Sequence, residues 1–463
     1  MDTPDLGVRL VGEELAVPCL DGSERTYLSL DAAASTGALP SVVQRVEEFL
    51  PWYSSVHRGA GWKSQVATAA YEDARTAIEA FAGRAGADRD DVAVICRNTT
   101  EAINHLAYRL QFEPGDVVAT TVVEHHANLL PWARVAQRSY VECDERGTFG
   151  VDDVALVLDA DPRPRLLAIT GASNVTGWLP PITEIIAAAH ERGVPVLVDA
   201  AQLAPHRPLP ADADYLAWSA HKMYAPFGAG ALIGPRSTFT TGDPFLAGGG
   251  AVDLVDLEEV VWTDPPEREE AGSPNVLGAV ALHAAIDAVG GLGFDAITAH
   301  DDAMAKLLHD GLRAIDNVRL LGCASGAGSL PVAAFVVEGV PHALVAARLS
   351  AEHAIGVRHG CFCAHPYLLR LLGLTDTEVA EYHDAVLRGD RRNIPGAVRA
   401  SAGLSTTPAD LAGFLAAVAE IAGGDSPPVP YEQDVHTGDY WPLAGPGAWA
   451  SASRRLGASC ARG

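Results

Sequence analysis

Short apolar runs recur through the middle of the chain, each followed by a polar cluster and then by an amphipathic stretch. Asp91–Cys96, Val117–Thr121, Arg165–Thr170, Val194–Asp199 and Tyr215–Ser219 read as strands buried on both faces, with a shorter one at Gly230–Ile233. Helical spacing of apolar positions marks Asn98 to about Leu110, opened by Thr at the capping position, and about Ile182–Arg192. Strands alternating with helices predict an α/β fold with a mostly parallel sheet covered on both faces. A charged, Pro-containing connector follows at Pro265–Asn275, then an Ala-rich helix over about Gly278–Gly290. Helices and alternating strands such as Val332–Val337 predict a smaller α+β unit over about 300–425. The start of the chain is irregular, with one small strand near Tyr27–Leu30, and the Gly-, Pro- and Ser-rich tail after Gly423 reads as an extended surface arm.

Composition removes several classes of function. Lys plus Arg is 33 against 59 Asp plus Glu among 463 residues, a formal net charge of −26. A nucleic-acid partner needs a basic surface, so none is expected. No apolar run approaches the roughly 20 residues that span a bilayer, and Met1–Gly7 lacks the pattern of a signal peptide, so no membrane is expected either. The seven cysteines, at 19, 96, 143, 323, 361, 363 and 460, are sparse and odd in number, which predicts a reduced, cytoplasmic protein without a disulfide framework.

The chemistry collects at the carboxyl ends of the predicted strands, where open α/β sheets bind ligands. Asn98, Thr99 and Thr100 follow one strand; Glu124, His125, His126 and Asn128 the next; Ser173 and Asn174 the third. Asp199 ends a strand, with Gln202 close behind, and Ser219, His221 and Lys222 end another. Hydroxyls and amides at a helix start suit a phosphate. A Lys able to form a Schiff base, an Asp for a ring nitrogen, an amide for a ring hydroxyl and a His to stack together meet the requirements of pyridoxal phosphate. Neither GxGxxG nor GxxxxGK[ST] occurs in the required context, so nicotinamide and nucleoside triphosphates lack their phosphate loops.

The ordered segments Leu30-Asp-Ala-Ala-Ala34, His57-Arg58-Gly59, Arg97-Asn-Thr-Thr-Glu-Ala-Ile-Asn104, Glu124-His-His-Ala-Asn128, Ser173-Asn174, Val198-Asp-Ala-Ala-Gln202, Ser219-Ala-His-Lys222, Glu270-Ala-Gly-Ser-Pro-Asn275, Val357-Arg358 to Cys363-Ala364 and Arg399-Ala-Ser401 resemble the class V, fold-type I pyridoxal phosphate enzymes of the cysteine desulfurase and selenocysteine lyase group, and the SufS-like branch in particular. The resemblance implies a seven-stranded-type sheet in a large cofactor domain (31–290), a small C-terminal domain carrying the cysteine loop (291–425), an N-terminal segment packing on the small domain (1–30), and a tail (426–463). It implies a homodimer. Lys222 would hold the cofactor aldehyde, Asp199 its pyridine nitrogen, and Gln202 and Asn174 the ring hydroxyl edge. His125 would stack on the ring, and Thr99, Thr100, Ser219 and His221 would hold the phosphate with Ser273 of the other subunit. Arg399 and Arg358, beside Asn174, would bind the substrate carboxylate, and Cys363 would be the mobile-loop nucleophile.

The implied reaction is removal of sulfur from L-cysteine as a persulfide on Cys363, leaving alanine, with a sulfur-acceptor protein as a possible partner. The same scaffold also serves C–S lyases, epimerases and aminotransferases on specialised amino acids, and a non-enzymatic scaffold or sulfur carrier is a third alternative. Two departures stand out. Cys361 occupies a position where the related pattern has His, and with no further ligands evident the Cys-Phe-Cys spacing predicts no metal. The stretch between Cys363 and Arg399 is longer than the pattern and carries Glu378, Glu381, Asp384, Asp390, Arg391 and Arg392.

Overall fold

Seven strands form the central sheet of the computed structural model, which describes residues 6–84, 86, 89–322 and 328–443. They are β1 (Asp91–Cys96), β2 (Val117–Thr121), β3 (Gln137–Val141), β4 (Leu166–Thr170), β5 (Val196–Asp199), β6 (Tyr215–Ser219) and β7 (Gly230–Pro235). Their order across the sheet is β1-β7-β6-β5-β4-β2-β3. Strands β2 to β6 run parallel, and β7 runs antiparallel to both its neighbours. The inner strands β2, β4, β5 and β6 are buried at every position, as near-continuous apolar runs require. The apolar pattern gives no sign of β3, because Gln-Arg-Ser-Tyr-Val closes the sheet as an edge and faces solvent over most of its length.

After β1, the helix Thr99–Arg109 is capped by Asn98, not by a threonine: Asn98 Oδ1 accepts the Glu101 N–H at 2.9 Å. Gly230 opens β7 there for a steric reason. A Cβ at Gly230 would stand 2.6 Å from the Trp218 carbonyl oxygen and 2.8 Å from Asn98 Cα, so a side chain would push the cap off the sheet.

A second, antiparallel sheet holds β8 (Val318–Leu320), β9 (Val332–Val337), β10 (Arg358–Gly360) and β11 (Ala397–Ser401), ordered β8-β9-β11-β10. Its core packs Phe335 and Val398 against Leu308, Leu349 and Phe414 from three helices. Residues 28–36 tie the two sheets together. Leu28–Ser29 pairs with Ile355–Gly356, Ser401 N–H donates to Leu30 O at 2.8 Å, and Thr36 N–H donates to His221 O at 2.9 Å.

The stretch after Cys363 is helical at His365–Leu372 and again at Asp376–Leu387, the latter opened by a Thr375/Glu378 capping box. The start of the tail is not an extended arm. Tyr431–Gln433 and Tyr440–Pro442 pair as an antiparallel hairpin. Arg391 N–H donates to Val435 O at 2.9 Å, and His359 pairs with Asp439 at 3.2 Å, so the hairpin is fastened over the second sheet. The rest of the tail, 444–463, with Cys460, and the short stretch holding Cys323 lie outside the described residues. Among the described residues no single helix is long and apolar enough to cross a membrane.

The connector before the Val276–Leu292 helix is held from beneath. Glu270 accepts from Arg75 at 2.8 and 3.0 Å, from Tyr71 Oη at 2.7 Å and from the Ile95 N–H at 2.7 Å. The Arg75 and Glu270 side chains are only 7% and 3% exposed. Removing the carboxylate strands a buried guanidinium, so Glu270→Ala is expected to lower unfolding stability by about 3–5 kcal/mol in a urea titration. Glu72→Ala, which removes the exposed partner of the same Arg75, is expected to cost under about 1 kcal/mol.

Candidate active site

The carboxyl ends of the parallel strands open into a cavity of about 570 Å³ between the two sheets. Lys222, Asp199, Gln202, Asn174, Thr99, Thr100, Ser219, His221, His125, Arg358, Arg399 and Cys363 all line it. Ser273 alone among the expected residues does not: it is exposed and outside the cavity of its own chain.

Register delivers the acidic and basic groups to neighbouring positions. Asp199 pairs with Thr170 of β4 and Ala217 of β6, and Lys222 sits in the single turn that follows β6. Asp199 is buried, one oxygen accepts the Ala201 N–H at 3.0 Å, and burial raises its carboxyl above the ordinary range. Lys222 is deep in the protein but borders the cavity. Burial lowers its amine to about 8, with Asp199 opposing the shift. Among the described residues no hydrogen bond or ion pair engages Lys222 Nζ. An amine lowered by burial, close to a buried carboxyl with no ion-pair partner, suits an aldehyde and a basic ring nitrogen.

His125 is held by its own backbone turn. Its Nδ1 accepts the Ala127 N–H at 3.0 Å, so the neutral ring carries its proton on Nε2. Burial lowers this imidazole to about 3, helped by the nearby Lys222 charge. Beneath it Glu124 is fully buried, bonded to Thr121 Oγ1, Asn128 Nδ2 and the Thr170 N–H at 2.7–2.9 Å. Burial raises that carboxyl to about 8, so Glu124 braces the end of β2 against β4. The Thr99 amide and hydroxyl both reach Ser219 Oγ, at 2.8 and 2.7 Å, which locks the start of the helix to the end of β6. Gln202 Nε2 donates to Ala33 O at 2.6 Å and Asn174 Nδ2 to Phe362 O at 2.8 Å. His221 Nδ1 faces Ser35 Oγ at 3.2 Å.

Two arginines face each other across β10 and β11, since Arg358 is the register partner of Arg399. Like charges opposite one another on a ladder repel. Asp31 stands between them: Oδ1 accepts from Arg399 at 2.9 Å and Oδ2 from Arg358 Nε at 3.0 Å. Arg399 also donates to Asn174 O at 2.9 Å and lies 5.1 Å above the Phe362 ring. No sequence signal assigned Asp31 this place.

The cysteine loop is a tight turn. Ala364 N–H donates to Cys361 O at 2.9 Å, and Phe362 and Cys363 have φ of 55° and 54°. Each left-handed non-glycine residue costs about 1–2 kcal/mol, held here by the packing of the loop. His126 N–H donates to Cys363 O at 2.7 Å, and the His126 ring stacks on His365 at 5.0 Å. Phe362 is buried, Cys361 is half-buried and Cys363 is exposed. The mouth beyond is lined by Tyr382, Arg391 and Arg392 of the long stretch and by Thr437 and Gly438 of the tail hairpin. His57 and Arg58 lie elsewhere: His57 pairs with Glu72 at 2.8 Å, and Arg58 donates to Val252 O at 3.0 Å. Among the described residues no group of three or more His, Cys, Asp or Glu could hold a metal ion.

The Aminotransferase class-V family model matches residues 28–414. A cysteine desulfurase of Dickeya dadantii is 37% identical over 364 residues, covering 76% of this chain and 86% of that protein. The chain belongs to the cysteine desulfurase family. A probable cysteine desulfurase of Halobacterium salinarum is 34% identical and covers 86% of this chain and 92% of its own length. The apo structure of a cysteine desulfurase from Thermococcus onnurineus superposes with a TM-score of 0.76 at 30% identity, covering 86% of this chain and 95% of that one. The cysteine desulfurase CsdA from Escherichia coli does so at 0.72 and 31%, with the same coverage. Cysteine desulfurases of this class are pyridoxal phosphate enzymes, and the unengaged Lys222 amine beside the buried Asp199 fits that cofactor.

The protonation state of His125 is open to direct measurement. Its ring resonances are expected to stay fixed between about pH 5 and 8 in NMR spectra, because the folded ring gains its proton only near pH 3. A midpoint near that of a free imidazole would show that the ring is solvated.

Proposed function

We propose that this cysteine desulfurase takes sulfur from L-cysteine onto Cys363 as a persulfide and leaves alanine. The convergence of Lys222, Asp199, His125, Arg399 and Cys363 on one cavity supports this reading. Bound pyridoxal phosphate supplies an aldehyde that condenses with amines and a ring that withdraws electrons from the substrate Cα. Lys222 would hold the aldehyde and, as a free amine, would take the substrate Cα proton. An amine at about 8 leaves about a tenth of its population unprotonated at pH 7, far more than an ordinary lysine, which suits both roles. Asp199 would keep the ring nitrogen protonated, Gln202 and Asn174 would hold the hydroxyl edge, and neutral His125 would stack on the ring. Thr99, Thr100, Ser219 and His221 hold the phosphate at the helix start.

Arg399 and Arg358 bind the substrate carboxylate, which takes up the role Asp31 plays between them. The Cys363 thiolate then bonds to the substrate sulfur. The Cβ–S bond breaks, its electron pair stays on carbon, and reprotonation gives alanine. Ser273, exposed and outside its own cavity, completes the phosphate site of a second subunit in a homodimer. The persulfide sulfur passes to a sulfur-acceptor protein or to a reductant.

The deciding experiment is a product assay on the cofactor-loaded protein with L-cysteine and a reductant. Alanine matched by sulfide is expected from the wild type. Cys363→Ala is expected to lose both while keeping the visible absorbance of the bound cofactor, and Lys222→Ala to lose that absorbance as well. Pyruvate in place of alanine would overturn the reading in favour of a lyase. Arg399→Ala removes charge-assisted hydrogen bonds to the carboxylate, at about 1.5–3 kcal/mol each, and is expected to lower kcat/KM for L-cysteine at least roughly tenfold.

A further inference from the structure

We propose that Cys361 is a resolving thiol: it attacks the persulfide on Cys363 and releases the sulfur as hydrosulfide without an acceptor protein. This rests on the reading of Cys363 above.

Four features of the loop carry the inference. Both cysteines line the same cavity, and neither is in a disulfide. The turn that joins them is closed by the Ala364-to-Cys361 hydrogen bond and has two consecutive left-handed residues, the backbone of a type I′ turn. Two Cα steps of about 3.8 Å, bent through such a turn, fall within the Cα separation that a disulfide spans. The Cys361 thiol is close enough to Cys363 for that residue's backbone amide to favour its thiolate and its thiol to oppose it. The side chain between them is out of the way, since Phe362 is buried beneath the Arg399 guanidinium.

The step balances without an outside oxidant. The Cys361 thiolate bonds to the Cys363 Sγ. The bond from that Sγ to the terminal sulfur breaks, and its electron pair leaves as hydrosulfide. The terminal sulfur is reduced to hydrosulfide, the Cys361 thiol is oxidised as it enters the Cys361–Cys363 disulfide, and its proton goes to solvent. A dithiol reductant then returns both thiols by exchange, which the strain of so small a disulfide ring favours. Burial holds the Cys361 thiol above its ordinary range. Its thiolate is therefore scarce, and resolution follows loading of Cys363 rather than competing with it.

The test is one anaerobic turnover of the cofactor-loaded protein with L-cysteine and no reductant. Alanine and hydrosulfide are quantified, and the tryptic peptide His359–Arg370, which holds both cysteines, is weighed. The wild type is expected to release about one hydrosulfide per alanine. Its peptide should lose the mass of two hydrogens, while the same peptide from protein kept without L-cysteine is unchanged. In Cys361→Ser the peptide should gain the mass of one sulfur, and hydrosulfide per alanine should fall about tenfold or more. A wild-type peptide that makes alanine and keeps the extra sulfur overturns the resolving role and leaves the desulfurase reading intact. Absence of alanine from the wild type overturns both.

Discussion

An amine and a carboxyl held side by side in the protein interior set the terms for the rest of the molecule. Neither Lys222 nor Asp199 is stable as an isolated charge at that depth, and burial pushes each toward its neutral form. Keeping both requires a rigid enclosure that fixes their separation while leaving one open side. The parallel sheet provides it. Strands β4, β5 and β6 point their carboxyl ends the same way, and the pairing of Asp199 with Thr170 and Ala217 leaves no freedom in where the carboxyl stands. The Ser219–Thr99 contacts then pull the first helix onto the same rim.

The open side is closed by the second sheet, and the join is electrostatic. Arg358 and Arg399 are neighbours by register, an arrangement that stands only with an anion between them. Asp31 is that anion, carried on the segment that also pairs with Ile355–Gly356 and reaches back to His221. One short stretch therefore offsets half the charge of the arginine pair and registers the two sheets against each other. The space between the two arginines is thus already shaped for a carboxylate.

The inner strands were legible in the sequence because full burial on both faces leaves an unbroken apolar run. Val117–Thr121 and Tyr215–Ser219 have the bounds their pattern predicts. Most of the cavity was legible too, because strand ends in such sheets converge whatever the details of the helices. What escaped depends on partners distant in sequence. The edge strand Gln137–Val141 is polar because only one side of it is paired. Asn98 caps its helix in place of a threonine because its side chain, one residue earlier, reaches the third amide. Asp31 and the His126–His365 stack join residues hundreds of positions apart, and no local pattern encodes that. The tail hairpin looked like an arm because its ties run to Arg391 and His359 and not to its own neighbours.

The arginines of the mouth have an effect on how molecules arrive. With 59 acidic and 33 basic residues, the protein repels anions at long range. Ionic screening ends that field within about 8 Å of the surface at physiological salt. Inside that distance Arg358, Arg391, Arg392 and Arg399 line the cavity, and Asp31 and Asp390 offset only part of their charge. A small zwitterion feels little of the outer repulsion and is turned by the inner field, carboxylate foremost, before it touches anything. The charge distribution thus acts as a filter on approach, and its strength is set by the ionic strength of the surrounding solution.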